Sequence, residues 1–541
     1  MTRPRPQADD TAGPSRTACG PTSGSVHDAG TLWESVERRS AASPDTVMLL
    51  DAEDRAFTFR EVRDWAERVA AGYHDLGIGS GTRVTWQLPT RIESIVVSLA
   101  LARLGAAQNP VIPFYREKEV GFCLRQTDAE FFITPGTWRG FDFTAMGEAL
   151  AARMAAPPRV LVAYDDLPRG DPAHLPPAPV DDEVRWVYYT SGTTSDPKGA
   201  RHTDGTLMAA GRALAAALDM SASDVGSMAF PYAHIAGPNY LNTLLITGFP
   251  AVVVEVFDPA AAVEVYARKR VTMVGGSTAF YTTFLDQQRK QPGTKVIPAL
   301  RIVSGGGAPK PPELFGLVRD ELGAVLCHGY GMTEVPQIAQ GSPHDTEDQL
   351  THSEGRPSQG LDVRIVRADG TLAGPGEEGE VRLRGPMVFK GYTDPERTAE
   401  AFDEDGFFRT GDLGRIRPDG HLALTGRLKD VIIRKGENIS AREIEDLLFA
   451  HPKVVDVAVV GLPDRERGER VCAVVERRPG AADLVFAEMV QYLKDAGLMV
   501  QKIPEQLELV DALPRNDTLR KVLKYRLRAE YANKPWPPQH R

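Results

Sequence analysis

The stretch Tyr188–His202 reads Y-Y-T-S-G-T-T-S-D-P-K-G-A-R-H and constrains this chain more than any other. Before it, Val184, Trp186 and Tyr188 alternate with Arg185 and Val187, the pattern of a short strand. After it, Thr206 to Leu218 is rich in Ala, Leu and Met and reads as a helix. The segment is therefore expected to be a loop between a strand and a helix, built to receive a polyphosphate. Gly192 and Gly199 let backbone approach closely, Thr190, Ser191, Thr193 and Thr194 offer donors, and Lys198 adds a full positive charge. The loop is not a Walker A motif, because no G-x-x-x-x-G-K-[ST] occurs in it.

A chain of 541 residues is too long for one ordinary core, so two or more domains are expected. Hydrophobic content of 42% and charged content of 25% are those of a globular protein. Sixty-three basic against 73 acidic residues give a net charge of −10, which argues against a nucleic-acid or anionic-membrane partner. Cys19, Cys123, Cys327 and Cys472 are scattered with no C-x-x-C pair, so free thiols in a reducing cytoplasm are expected, with no zinc site. Residues 1–30 are rich in Pro, Ser, Thr, Gly and Asp without an apolar stretch, and read as a disordered leader. No apolar run of about 18 residues suggests a membrane helix.

Thr31 to Ala42 reads as a short helix, and Phe57 to Leu76 carries Phe59, Val62, Ala66, Val69, Ala70 and Tyr73 at helical spacing. Arg83 to Gln87 reads as a strand and Ile92 to Leu104 as a helix; such alternation predicts a parallel α/β sheet flanked by helices. Pro172 to Pro179 reads as a linker. After Lys429, Val431–Ile433, Ala441–Ala450, Val454–Leu462, Val471–Val475 and Phe486–Ala496 read as short strands and helices of a compact α+β unit.

The ordered run ending in D-P-K-G resembles the phosphate loop of the adenylate-forming superfamily, which includes acyl-CoA synthetases, peptide-synthetase adenylation domains and beetle luciferases. Further motifs follow in that superfamily's order. Within Phe230–Gly237, F-P-Y-A-H-I-A-G, the resemblance gives His234 a place beside the reacting carboxylate; a lone histidine near a Pro/Gly turn is otherwise ordinarily structural. Ala233 and Ile235 flank it, which supports neither an α-amino acid nor a 2-hydroxybenzoate activator. Arg301–Gly307, R-I-V-S-G-G-G, with Ala308 and Pro309, resembles the wall that holds adenine, Gly305 also bordering the acyl pocket. In Ala324–Glu334, A-V-L-C-H-G-Y-G-M-T-E, an apolar strand is expected to end in a loop. The resemblance then packs Tyr330 on adenine, sets Thr333 at the α-phosphate and has Glu334 hold Mg²⁺, for which one carboxylate plus phosphate oxygens suffices. Gly329, Gly331 and Met332 would line the acyl pocket, and the glycine at 331, where acetate-specific members place Trp, implies room for a larger acid.

Phe408–Leu413, F-R-T-G-D-L, follows a D-x-D-G-F segment that reads as a surface hairpin; by resemblance Asp412 accepts from both ribose hydroxyls and Arg427 completes the ribose and phosphate contacts. Lys429 stands at the superfamily's hinge, and Lys435-Gly436-Glu437 resembles the loop lining the pantetheine tunnel. The superfamily's catalytic lysine closes P-R-T-x-[ST]-G-K. Here Pro514–Lys521, P-R-N-D-T-L-R-K, lacks the glycine and is one residue longer, leaving Lys521 as the expected lysine and Arg520 as runner-up.

The resemblance implies a large N-terminal adenylation domain of layered sheets and helices, residues 31–428, and a small mobile α+β domain, residues 429–541. It implies an ATP- and Mg²⁺-dependent carboxylic acid:CoA ligase of the acyl-CoA synthetase branch, working through acyl-AMP on a medium-sized cyclic, aryl or fatty acid. An amide synthetase that intercepts the adenylate with an amine, or a ligase loading a carrier-protein phosphopantetheine, keeps the same ATP motifs. A non-catalytic nucleotide sensor is the reading from another class, and Lys198, Glu334, Asp412 and Arg427 together argue against it. A monomer or homodimer is expected.

Overall fold

The computed structural model describes residues 25–190, 197–308, 310–435, 437–465, 467–516, 520–532 and 534. Residues 25–30, expected in the leader, pack onto the body: Val26–Asp28 form a 3₁₀ turn in which Val26 is buried. The Leu32–Ala42 helix follows, its first turn closed by the Thr31 hydroxyl accepting from Glu34 N. The Phe59–Asp75 helix begins with Thr58 and Glu61 capping each other reciprocally, an arrangement that contributes about 1 kcal/mol. Its buried face carries Phe59, Val62, Ala66, Val69, Ala70 and Tyr73, the stripe expected from the spacing.

Six strands make the first sheet, in the order Lys198–Thr203, Val184–Thr190, Ala107–Pro110, Arg83–Trp86, Phe131–Thr134 and Arg159–Val162. All pairings are parallel except the edge pair of Val184–Thr190 with Lys198–Thr203. The Ile92–Leu104 helix is buried along all 13 of its residues, as its predominantly apolar sequence suits for a helix held between layers, and its Glu93 is paired with Arg55. Pro172–Pro179 is pinned rather than a free linker, because Leu175 and Ala178 pack on the main core and Arg103 donates to Pro176 O at 2.9 Å.

A second sheet joins Gly226–Met228, Ala251–Val253, Val47–Asp51 and Ala56–Thr58. The third sheet positions the chemistry. Met273–Gly276, Ile302–Gly305 and the first half of Val325–Met332 are parallel, with Gly305 opposite His328. From Gly329 onward the last strand leaves this sheet and pairs antiparallel with Val335–Gln340. An antiparallel sheet of Asp362–Val366, Gly379–Arg384, Phe408–Ile416 and Leu422–Arg427 completes the large domain. The small domain has its own sheet, with Gly468–Arg477 flanked by Ile432–Arg434, Val454–Asp464 and Gln506–Val510, and its own buried clusters around Ile444, Val459 and Leu493 and around Val460, Val474 and Leu527.

Two further expectations are corrected. The 191–196 segment joins two antiparallel strands, not a strand and a helix; Lys198–Thr203 pairs with Val184–Thr190, and the helix begins only at Asp204. Tyr330 lies within a strand, because Gly329–Met332 finds an antiparallel partner, which leaves Thr333 and Glu334 alone as the turn. The D-x-D-G-F segment forms the expected exposed turn, between the bridged Phe402 and Phe408; Phe408–Leu413 then enters an inner strand of a four-stranded sheet, and Asp412 is 3% exposed.

Candidate active site

The carboxyl ends of the parallel strands open on a cleft of about 2730 Å³ that reaches the small domain. Gly305, with φ of +157°, and Gly307, with φ of +84°, turn the chain at the end of Ile302–Gly305. A Cβ at Gly305 would sit 1.7 Å from Gly276 O and one at Gly306 2.4 Å from Gly329 O, so this wall exists only as bare backbone. Ala308 lines the cleft beside it.

Opposite the wall, strand pairing sets Asp412 directly across from Arg427. Arg427 Nε donates to Asp412 Oδ1 at 2.8 Å and the Tyr330 hydroxyl donates to Oδ2 at 2.6 Å. The aspartate is thereby a fixed acceptor at the cleft wall. Asp412 raises the Arg427 guanidinium further above its ordinary value, the opposing desolvation notwithstanding.

The Thr333–Glu334 turn is pinned by His202, a residue with no role assigned from its motif. His202 Nε2 donates to Thr333 O at 2.8 Å, and burial pushes the imidazole down to about 4, so it stays neutral with its proton on Nε2. Tyr392 is the second such residue: its hydroxyl donates to Glu334 Oε1 at 2.7 Å, and Lys198 Nζ lies 5.2 Å from the centre of its ring. Burial raises the Glu334 carboxyl, while Tyr392 and Lys198 act to lower it. No group of three or more His, Cys, Asp or Glu gathers into a metal site among the described residues. A lone hard carboxylate fits Mg²⁺, which fills its octahedron with water and phosphate oxygens, and fits no cation that needs a protein cage.

His234 stands just before the Ala236–Thr247 helix, and its Nδ1 accepts from Ala236 N at 3.2 Å. Burial first, then the neighbouring Lys521 ammonium, push this imidazole down to about 3. The neutral ring therefore presents Nε2–H as a donor.

Lys521 enters the same cleft from the small domain. Its loop is tied off by Lys521 N donating to Asn516 Oδ1 and Asn516 N donating to Lys521 O, both at 2.9 Å. Arg515 at the loop's base pairs with Asp456 and lies 3.6 Å from Glu476. Desolvation lowers the Lys521 ammonium to about 8, reinforced by Arg427 and Lys429 and opposed by Asp412 and Glu334. Arg520 is exposed and takes φ of +58°, the left-handed conformation a glycine would adopt freely.

Thr190, Lys198, His234, Gly305, Gly307, Ala308, Gly329, Tyr330, Gly331, Met332, Thr333, Glu334, Asp412, Arg427, Lys429 and Lys521 all line the one cleft. Ser191, Gly192, Thr193, Thr194, Pro309 and Gly436 lie outside the described residues. Lys435 is exposed and not among the residues lining the cleft, and the backbone of Glu437 begins the strand Glu437–Ile439. A Cβ at Gly331 would lie 2.4 Å from Pro336 O, so its hairpin demands glycine there whatever the size of the acid. His202 closes the phosphate-loop stretch, and that place was the available sign of it; Tyr392, at the end of an F-K-G-Y run far along the chain, carried no such sign.

The model of AMP-binding enzymes matches residues 36–393, and that of the AMP-binding enzyme C-terminal domain matches residues 443–519. A medium-chain fatty-acid–CoA ligase of Escherichia coli is 32% identical over 515 residues, covering 92% of this chain and 89% of the relative. A salicyl-AMP ligase/salicyl-S-ArCP synthetase of Mycobacterium tuberculosis is 35% identical over 491 residues, covering 87% and 86%. The structure of an amide bond synthetase from Marinactinospora thermotolerans superposes with a TM-score of 0.79 at 27% identity, covering 92% of this chain and 99% of that one. Asp412, Arg427 and Lys521 fall outside both matched segments, so their placement rests on the geometry described above. This chain belongs to the AMP-binding enzyme family, the adenylate-forming ligases.

Proposed function

We propose that the chain is an ATP-dependent carboxylic acid:CoA ligase that proceeds through acyl-AMP and releases pyrophosphate and AMP. The observation that carries this reading is the convergence of Lys521 from the small domain with Glu334, Asp412, Arg427 and His234 from the large one on a single cleft.

A carboxylate attacking the α-phosphate of ATP is an anion meeting a polyanion, so positive charge must stand ready where negative charge builds. Lys198 beside the β- and γ-phosphates and Lys521 between the acid and the α-phosphate supply it. The neutral His234 Nε2–H orients the acid, the Thr333 hydroxyl contacts the α-phosphate, Asp412 and Arg427 hold the ribose, and the glycine wall receives adenine against Tyr330. Mg²⁺, held by Glu334, would neutralise phosphate charge when bound. The carboxylate oxygen bonds to phosphorus as the bond to the β-phosphate bridge breaks, and pyrophosphate leaves. A thiolate then attacks the acyl carbon and AMP departs.

The arrangement with Lys521 inside and Lys435 outside the cleft suits the first step. For the second, the small domain, residues 429–541, turns about Lys429 in the short 3₁₀ segment Leu428–Asp430 and brings the Lys435–Glu437 loop to the thiol's path. The three relatives pass their acyl groups to different acceptors, and CoA is favoured here by the whole-chain match to a CoA ligase. Cys123, Cys327 and Cys472 are buried and unpaired, which supports the reducing cytoplasm as the site of action. No helix among the described residues is long and apolar enough to cross a membrane.

Purified protein with ATP, Mg²⁺ and a panel of acids tests the reading by pyrophosphate release with CoA, with simple amines, and with neither. CoA-dependent turnover to acyl-CoA is expected. Turnover with amines alone would make the enzyme an amide synthetase, acylation of only a phosphopantetheinylated carrier would make it a carrier-protein ligase, and nucleotide binding without any pyrophosphate would leave a sensor.

A further inference from the structure

Thr333 and Glu334 are the whole loop of a two-residue hairpin, since Met332 pairs with Val335. Such loops match the twist of their strands when one or both residues take positive φ, which favours Gly and Asn. Here the residues are Thr and Glu, and neither takes positive φ. The hairpin therefore closes on a turn that its strands do not favour, and hydrogen bonds from other segments set its orientation. His202 Nε2 donates to Thr333 O at 2.8 Å, Phe389 N donates to Glu334 O at 2.9 Å, and the Tyr392 hydroxyl donates to Glu334 Oε1 at 2.7 Å. Of these, the bond from His202 holds the peptide between the two residues. A central turn peptide takes different orientations in different turn types, with ψ of the first residue and φ of the second changing together. The rotamers open to both side chains depend on those angles.

The donor is itself held in one state. A backbone carbonyl can only accept, so the ring proton of His202 is on Nε2. Burial keeps the imidazole neutral, which leaves Nδ1 bare and in need of a donor. The Thr206 hydroxyl lies 2.9 Å from it. That hydroxyl has one rival acceptor, Thr203 O, also at 2.9 Å. Thr203 caps the Asp204–Ala217 helix, so its carbonyl already accepts the first bond within the helix and the Thr206 proton goes to Nδ1. Thr206 Oγ1 is fixed in turn by accepting from Thr203 N at 3.2 Å. The line runs one way, from Thr203 N through Thr206 and His202 to Thr333 O. His202 is 0% and Thr206 1% exposed, so water does not compete for it.

The line also joins two parts of the site. His202 belongs to the strand Lys198–Thr203, which starts at the phosphate-loop lysine, and Lys198, Thr333 and Glu334 line the same cleft.

We propose that His202 and Thr206 are positioning residues for adenylation: the Thr206 hydroxyl holds the His202 ring by its bare Nδ1, and His202 Nε2–H fixes the Thr333–Glu334 peptide in the orientation in which those two side chains serve the nucleotide. The inference rests on the reading of this cleft as an adenylation site and adds to it two residues that do not touch the substrate.

The test labels the full chain with ¹⁵N-histidine and assigns the ring nitrogens of His202 by their loss in His202→Gln. Hydroxamate formation from ATP, Mg²⁺, acid and hydroxylamine reads the first half-reaction without CoA. The parent protein is expected to show a protonated Nε2 and a hydrogen-bonded, bare Nδ1. In Thr206→Val the Nδ1 resonance should move to that of an unbonded ring nitrogen and kcat should fall by about threefold or more, and Thr206→Ser should restore both. His202→Phe should lower kcat by about tenfold or more with ATP affinity, measured by calorimetry, changed far less. His202→Gln, whose side-chain amide keeps an N–H, should regain most of that loss. Urea unfolding gives the stability of each variant, which the rates should not follow. A ring proton on Nδ1 in the parent, rates that follow stability across the variants, or a His202→Phe protein that adenylates at the parent rate would overturn the inference and leave the ligase reading intact. Hydroxamate from no acid at all with the parent protein would remove both.

Discussion

Arg442 of the small domain donates from Nη2 to Glu354 Oε1 of the large domain at 2.9 Å, a buried ion pair across the line along which the two domains meet. Glu354 is 3% exposed and also lies 3.5 Å from His328 Nε2. Burial raises the Glu354 carboxyl, and Arg442, His328 and Lys310 more than offset it, so the group is held ionised below the usual carboxylate range. Removing one partner of a buried pair typically costs about 3–5 kcal/mol, and here that cost falls on the domain arrangement with Lys521 in the cleft. Arg442→Met is expected to slow adenylation by about tenfold or more while sparing thiolysis of chemically supplied acyl-AMP. Rapid-quench measurement of the two half-reactions checks this, and an equal loss in both would show that the pair does not favour one arrangement.

Lys521 gives the free enzyme a basic limb. With the ammonium lowered to about 8, the group is charged below that pH and neutral above it. The kcat/KM for adenylation should therefore fall as pH rises through about 8, because only the cation neutralises charge on the transition state. Lys521→Arg should move the limb beyond the accessible range, and Lys521→Ala should lower the rate by about 10²–10³. A limb unmoved in Lys521→Arg would assign it to another group.

Arg520 separates the two candidate cations. Its φ of +58° costs an L-residue about 1–2 kcal/mol that glycine does not incur. Arg520→Gly should keep adenylation within about threefold and leave the fold as stable or slightly more so, the added freedom of the unfolded chain offsetting part of the gain. A loss comparable with that of Lys521→Ala would make Arg520 the catalytic cation. Steady-state assays and urea unfolding read both effects.

Tyr392 holds Glu334. Burial raises the Glu334 carboxyl and the phenol's hydrogen bond lowers it, so Tyr392→Phe should raise it further. Glu334 must be ionised to hold a cation, so the acidic limb of the pH–rate profile should move upward, and more Mg²⁺ should be needed for half-maximal rate. A profile and Mg²⁺ requirement identical to those of the parent enzyme would remove Tyr392 from the site.

Lys429→Pro tests the pivot. Proline fixes φ and removes the amide donor, so the short 428–431 connection should lose its freedom to turn. Adenylation should persist while thiolysis falls by at least about tenfold, as followed by pyrophosphate release against acyl-CoA formation; equal losses would place the turn elsewhere.

Local pattern revealed the elements whose burial is one-sided or complete. The stripe of Phe59–Asp75 and the Ala/Leu/Val-rich Ile92–Leu104 helix appear where their spacing and composition put them. Pairing between distant segments was hidden. Lys198–Thr203 extends because Val184–Thr190 offers it an edge, and Gly329–Met332 extends because Val335–Gln340 does, so both loops as read from sequence were partly strand. The charged site residues were legible because each closes a motif of unusual composition. Thr206 was not, because its part is a hydrogen-bond direction that exists only once strand, helix and turn meet. Arg442 and Glu354 were hidden for the same reason.

The central claim is that the carboxylate itself attacks the α-phosphate, and isotope transfer tests it most directly. An accepted acid labelled with ¹⁸O in both carboxylate oxygens is turned over with ATP, Mg²⁺ and CoA, and the nucleotide product is weighed by mass spectrometry. One labelled oxygen in AMP, with none in pyrophosphate, is the expected result. Label in inorganic phosphate alongside ADP, or unlabelled AMP, would mean that no acyl-AMP forms and would contradict the assignment of Lys521, Glu334 and His234 to that step.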